Sequence, residues 1–179
     1  MLFEDQVQRD VQRAVALVEQ ALRARGKIPE RCSVESAAGS FCFALDAGRS
    51  ENGCREIELE VIITVSHPAL DPAPSTERST GQIRVTSVVS SLPEEPEELC
   101  RYLLERNADS AMGAAFGIVD REIVLLSERS VEDLDPSEVD AILQSVERHA
   151  LDYAKKLSTL FGSKKREGGC PSNGSSPKA

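Results

Sequence analysis

Three glutamates at alternate positions, Glu56, Glu58 and Glu60, and His149 between Glu147 and Asp152 are the residues of this sequence whose types and spacing could do chemistry. Paired carboxylates can serve as general acid and base or hold a hard cation through oxygen. A histidine among acids can move a proton near neutral pH. Each pattern also has a plainer origin. Alternate acids form the wet half of a half-buried strand, where charge also resists edge-to-edge aggregation. A histidine beside acids on a helix is an ordinary surface residue. The other histidine, His67, precedes Pro68 far away in sequence and has no evident partner.

Gly113 and Gly117 (GAAFG) fit neither a dinucleotide fingerprint nor a P-loop, and they precede a strand where those motifs open a helix. The five cysteines, at 32, 42, 54, 100 and 170, are odd in number and contain no C-x-x-C pair. They read as reduced structural thiols, Cys42 in a strand-like stretch and Cys100 in a helix. The expectation is therefore no catalytic residue, no metal and no cofactor.

A better signal comes from apolar residues that interrupt polar faces. Ile62 follows the three glutamates, Val88 is out of phase on the next strand, and Val124 and Leu126 are out of phase on the last. If these positions adjoin, they form an apolar patch framed by acids, the composition of an interface. The competing account is a helix lying over them. The candidate partner-binding residues are Glu56, Glu58, Glu60, Ile62, Val88, Val124 and Leu126.

The elements that must position them follow from periodicity. From Phe3 to Arg25, Val7, Val11, Ala14, Val18, Ala21 and Leu22 recur at helical spacing, and Gly26 and Pro29 end the helix. Phe41, Phe43 and Leu45 alternate with Cys42, Ala44 and Asp46 before a turn at Ala47 to Gly53. Glu56 to Val65 is the clearest strand. A Pro- and Ser-rich loop, His67 to Thr80, leads to a third strand with Ile83, Val85 and Val89, so an antiparallel meander is expected. Ser91 and Glu94 have capping-box spacing ahead of a short helix with Leu99, Tyr102, Leu103 and Leu104 that ends near Asn107. Ala114 to Val119 and Glu122 to Ser127 form a hairpin around Asp120 and Arg121. Asp135-Pro-Ser-Glu138 then opens a long helix through Val139, Val146, Tyr153, Leu157, Leu160 and Phe161.

The net charge is -9 over 179 residues. Lys164, Lys165, Arg166 and Lys178 against Glu167 give the tail 163–179 a charge of +3, leaving -12 on the rest. Such a surface repels phosphate backbones and anionic membranes and steers basic polypeptides towards it. The longest apolar runs, Val61 to Val65 and Ile123 to Leu126, are too short to span a bilayer, and the acidic start MLFEDQVQRD does not resemble an export signal. A cytoplasmic location is expected, with one domain over 1–162 and a disordered basic tail over 163–179.

The order of elements, with Leu103, Leu104, Asn107, Gly113, Phe116, Gly117, Ile123, Leu125, Asp133, Leu134 and Tyr153, resembles the YbjN family and the wider fold of class I type III secretion chaperones. In that pattern a Leu-Leu-x-x-Asn helix end leads through Gly and Phe into a hairpin, then to Asp-Leu and a last long helix. The turn after Val119 is shorter than the pattern and the loop before the third strand longer. The resemblance implies an α+β fold with a mainly antiparallel sheet: helix, three-strand meander, helix, hairpin, long C-terminal helix. It also implies a homodimer without a cofactor, and, for the secretion chaperones, a surface that holds an unfolded client segment.

The expected function is a non-catalytic, chaperone-like or regulatory module that holds a segment of a partner polypeptide as a homodimer. The alternative is a small-ligand-binding sensor with its pocket between sheet and helices. An enzyme would need its site assembled from Glu58, Glu60 and His149.

Overall fold

In the computed structural model, the described residues are 2–27, 30–31, 37–46, 58–66, 81–108 and 113–161. Helix α1 runs over Leu2–Ala24 and buries Val11, Ala14, Val18 and Leu22, one stripe at steps of three and four. Gly26, at φ 67°, ends it: its N–H donates to the Arg23 carbonyl at 3.0 Å and the Lys27 N–H to the Leu22 carbonyl at 2.9 Å. This is a Schellman cap, and a left-handed residue is needed to make it.

The strands are β1 (Glu30–Arg31), β2 (Ala37–Asp46), β3 (Glu58–Ser66), β4 (Gln82–Ser91), β5 (Ala115–Val119) and β6 (Glu122–Ser130). They form one sheet in the order β1-β2-β3-β4-β6-β5, with every neighbouring pair antiparallel. Helix α2 (Glu97–Asn107) precedes β5, and α3 (Pro136–Phe161) closes the order. The expected α+β class, meander and hairpin are all present; the two-residue β1, which pairs with β2, is additional. The turn Ala47 to Gly53, the loop His67 to Thr80 and the tail 163–179 lie outside the described residues.

Strand alternation sends Phe41, Phe43, Leu59, Val61, Ile63, Val85 and Leu125 to one face, where they share a core with α1, α2 and α3. Ser87 also points inward and is buried. Its hydroxyl donates to the Glu60 carbonyl at 3.0 Å, so the polar group is satisfied. Phe116 stands edge-on to Tyr153 with ring centroids 4.8 Å apart, fixing β5 to α3. Arg25 fastens α1 to α3 by donating to the Asp140 carboxylate at 2.7 Å, the Asp140 carbonyl at 2.9 Å and the Glu147 carboxylate at 2.7 Å. These bonds span more than a hundred residues of sequence.

Helix α2 departs from expectation. Ser91 closes β4 and does not cap the helix, which starts at Glu97 after Pro96, with no side-chain cap bond. Pro93 and Pro96 account for the delay, because proline keeps the preceding residue out of the helical region. Leu104 and Leu160, expected on apolar helix faces, are instead exposed.

The hairpin turn has Asp120 at φ 49° and Arg121 at φ 64°, so the two-residue connection is a type I′ turn. A left-handed arginine costs roughly 1–2 kcal/mol, and glycine's extra unfolded-state entropy returns roughly 0.5–1 kcal/mol of that. Arg121→Gly should therefore stabilise the protein by about 0.5–1 kcal/mol and raise the melting temperature by about 2 °C, as read by calorimetry.

At the start of α3 the Asp135 carboxylate accepts from the Ser137 N–H at 2.7 Å, the Ser137 hydroxyl at 2.7 Å and the Glu138 N–H at 3.0 Å. Glu138 accepts in return from the Asp135 N–H at 3.1 Å, completing a capping box. The Ser137 hydroxyl first, then the Glu138 amide, with the Ser137 amide and the charge of Arg129 adding less, hold Asp135 below its ordinary pKa against the opposing effect of burial. A carboxylate with a depressed folded-state pKa contributes stability above its unfolded pKa and loses it as pH falls through the folded value. Asp135→Ala should thus lower the urea midpoint at pH 7, and the gap from the wild type should close as the pH falls below the ordinary carboxylate range.

Candidate functional site

The outward side chains are the half of each strand that the helices do not reach, and strand register determines which of them are neighbours. Cys42, Ile62, Thr86, Leu126 and Ala115 stand in register across β2, β3, β4, β6 and β5. At about 4.8 Å per strand this row is about 19 Å long. Beside it Val88, Val124 and Gly117 are in register across β4, β6 and β5. All four residues singled out as apolar and out of phase, Ile62, Val88, Val124 and Leu126, thus fall in two adjacent rows of one face.

None of the four belongs to the core cluster beneath the helices. Ile62, Val88 and Leu126 are half-buried. Val124 is only 5% exposed, more buried than an outward position suggests. Gly117 explains part of this: a Cβ built there would lie 3.4 Å from Val124 Cγ2 and 3.6 Å from Leu126 Cδ2, so both side chains lean over its backbone. The helices place their buried residues in the opposite layer, so among the described residues no helix forms the cover that the competing account required.

The charged frame is mixed. Glu60 is exposed on β3 in register with Ala44. Arg84, in register with Thr64 and Glu128, pairs with the Glu128 carboxylate at 3.0 Å. Glu58 lies in β3 opposite Asp46, but its side chain is outside the described residues, as is the whole of Glu56. One cation therefore enters a frame expected to be acidic.

His149 does not join these glutamates. It stands on α3, across the sheet from Glu60, with its Nε2 3.2 Å from the Arg148 guanidinium. Burial first, then Arg148 and Lys156, lower its pKa, and Asp152 opposes them. Among the described residues no group of three or more His, Cys, Asp or Glu is placed to hold a metal. Cys42 and Cys100 are in no disulfide, and Cys42 lies in the outward row instead of the core. No described helix is long and apolar enough to cross a membrane.

A second apolar surface was missed in the sequence. Leu104 on α2 and Ile118 and Val119 on β5 are 69%, 48% and 54% exposed, on a shoulder where α2 meets the last strand of the sheet. Periodicity placed Leu104 inward, and only the packing of α2 through Leu99 and Leu103 shows that it points away.

Residues 74–158 match the model of the YbjN family, described as "Putative bacterial sensory transduction regulator". The stretch contains β4, α2, β5, β6 and most of α3, with every residue from Leu103 to Tyr153 that carried the resemblance, which is thereby borne out. No curated protein matches the chain. The solved structures similar to it include three complexes. The ExsC–ExsE complex matches at 15% identity over 84% of this chain and 95% of that one, with a TM-score of 0.49. The Yersinia pestis type III secretion chaperone SycH in complex with a stable fragment of YscM2 matches at 14% over 77% and 97%, TM-score 0.45. The HopA1–SchA chaperone–effector complex matches at 9% over 78% and 91%, TM-score 0.46.

The two faces differ in what a truncation costs. Ile63→Ala, in the core, should destabilise by about 2–5 kcal/mol, whereas Ile62→Ala, half-buried on the outward face, should cost roughly 1 kcal/mol. Equal losses in urea unfolding would mean that Ile62 is packed as the core is.

Proposed function

We propose that this chain is a non-catalytic protein-binding module, chaperone-like or regulatory, that holds a segment of a partner polypeptide on its outward sheet face. The observation that carries the reading is the register of Ile62, Val88, Val124 and Leu126, which makes four scattered apolar residues into one surface outside the core. Covering the half-exposed side chains contributes on the order of 1 kcal/mol each. That supports modest affinity and leaves the remainder to backbone contacts and charge. Glu56, Glu58 and Glu60 would set association rate and a preference for basic segments, so the on-rate falls as salt rises. The family's description as a regulator agrees with a protein that works through a partner.

The proposal takes residues 1–162 as one cytoplasmic module, followed by the basic tail 163–179, and takes its working state as a homodimer without a cofactor. The exposed Leu104 of α2 supplies apolar surface for self-association, separate from the outward face. Nucleic acid and membrane are not expected partners of so acidic a chain.

The test is affinity capture from native lysate with mass spectrometry, repeated with Ile62 and Val88 both changed to Ser. Partner recovery should drop at least about tenfold, the loss of roughly 1.4 kcal/mol of binding, while circular dichroism stays unchanged. Undiminished recovery removes the outward face from consideration. Stabilisation by a metabolite with no partner recovered would favour the ligand-sensor alternative, and light scattering at the monomer mass would remove the homodimer.

A further inference from the structure

The free edge of the sheet at β5 carries a residue whose work the partner-binding reading does not use. In a two-residue type I′ hairpin the residues flanking the turn, Val119 and Glu122, exchange both backbone hydrogen bonds. Alternation along the ladder then gives Gly117 and Ala115 to β6, and turns the N–H and C=O of Phe116 and Ile118 away from the sheet. Among the described residues β5 is the terminal strand, so these groups face an open edge, where another extended chain could pair.

Asn107 occupies half of that edge. Its side-chain oxygen accepts from the Phe116 N–H at 2.7 Å, and its amide nitrogen donates to the Phe116 carbonyl at 3.0 Å. The carboxamide thus makes the two bonds that a residue of a seventh strand would make. Its placement follows from α2: Asn107 lies four and eight residues beyond Leu103 and Leu99, on the same stripe of the helix. Those leucines are buried in the core, and the third position of the stripe meets backbone where the others meet side chains. Phe116 in turn is held by the Tyr153 ring, so neither partner of the clamp is loose.

We propose that Asn107 is an edge plug: by satisfying both outward groups of Phe116 it closes β5 to strand addition by another polypeptide. Among the described residues, only the Ile118 N–H and C=O of β5 are left without such a partner by the ladder geometry, and a single residue does not register an incoming strand. An extended segment is thereby refused at this edge, although the apolar Ile118 and Val119 beside it would otherwise attract one. The inference does not depend on the outward face binding anything, because it concerns backbone groups at the end of the sheet.

Amide hydrogen exchange on the wild-type protein, combined with light scattering of variants, tests it. In the wild type the Phe116 amide should be protected with Gly117 and Val119, and the Ile118 amide should exchange on the order of tenfold or more faster than Phe116. In Asn107→Ala the Phe116 amide should lose its protection at low protein concentration, and the mass should rise with concentration above that of the wild type. Adding Ile118→Pro removes an outward donor without touching the β5–β6 ladder, so it should return the mass to the wild-type value. A folded Asn107→Ala that scatters as the wild type does at every concentration overturns the proposal. So does an Ile118 amide as protected as Phe116 in the wild type, a result that stands even if the variant does not fold. Partner capture through the outward face is unchanged by either outcome, so failure here and failure of that reading are separable.

Discussion

The structure rests on one stacking interaction, the burial of one face of an antiparallel sheet under its helices, chiefly α1 and α3. Val85 and Ile83 at the middle of the sheet, Ile63 and Val61 beside them, and Ile123 and Leu125 beyond meet Val139, Leu143, Val146, Ala150 and Leu157 of α3, while α1 covers β2 and β3. Hydrophobic burial of this kind is non-directional. Direction comes from the ladder, because a shift of one residue in any strand would send its apolar set to water. Arg25 adds a directional tie between the two helices, with three acceptors for one guanidinium.

Because all three helices fill the same layer, the opposite face has to be explained on its own terms. Alternation alone would make it polar. It is polar at Thr64, Thr86, Arg84 and Glu60, and apolar where Ile62, Val88, Val124 and Leu126 meet. The same one-sidedness leaves β5 at an end, with Asn107 standing where a further strand would begin. Face and edge are thus two results of one arrangement, and they differ in what they offer: side-chain surface in the first case, and in the second backbone that is already occupied.

Much of this is legible in the sequence alone. The alternation of Leu59, Val61, Ile63 and Val65, the Asp135 box and the Gly26 cap are local patterns, and local patterns survive folding. Adjacency of Ile62, Val88, Val124 and Leu126 could only be posed as a condition, because it depends on the register of three strands set by turns and bulges far apart in the chain. Cys42, Thr86, Ala115 and Gly117 were missed for the same reason: their significance lies in which rows they share. The start of α2 was misread because Ser91 and Glu94 satisfy a spacing rule that Pro93 and Pro96 override. Asn107 was noticed as part of a family pattern, but the two bonds to Phe116 require knowing where the edge lies.

The last element of the chain covers its central strand. β4 is complete at Ser91, yet its hydrogen-bonded neighbour β6 ends at Ser130 and the helix across it, α3, runs to Phe161. During synthesis β4 therefore emerges with the edge that β6 will pair with open and its inward Ile83, Val85 and Val89 bare, and it stays so until the ribosome has added roughly seventy more residues, several seconds of translation. The nascent chain is at its stickiest while its own roof is still being made.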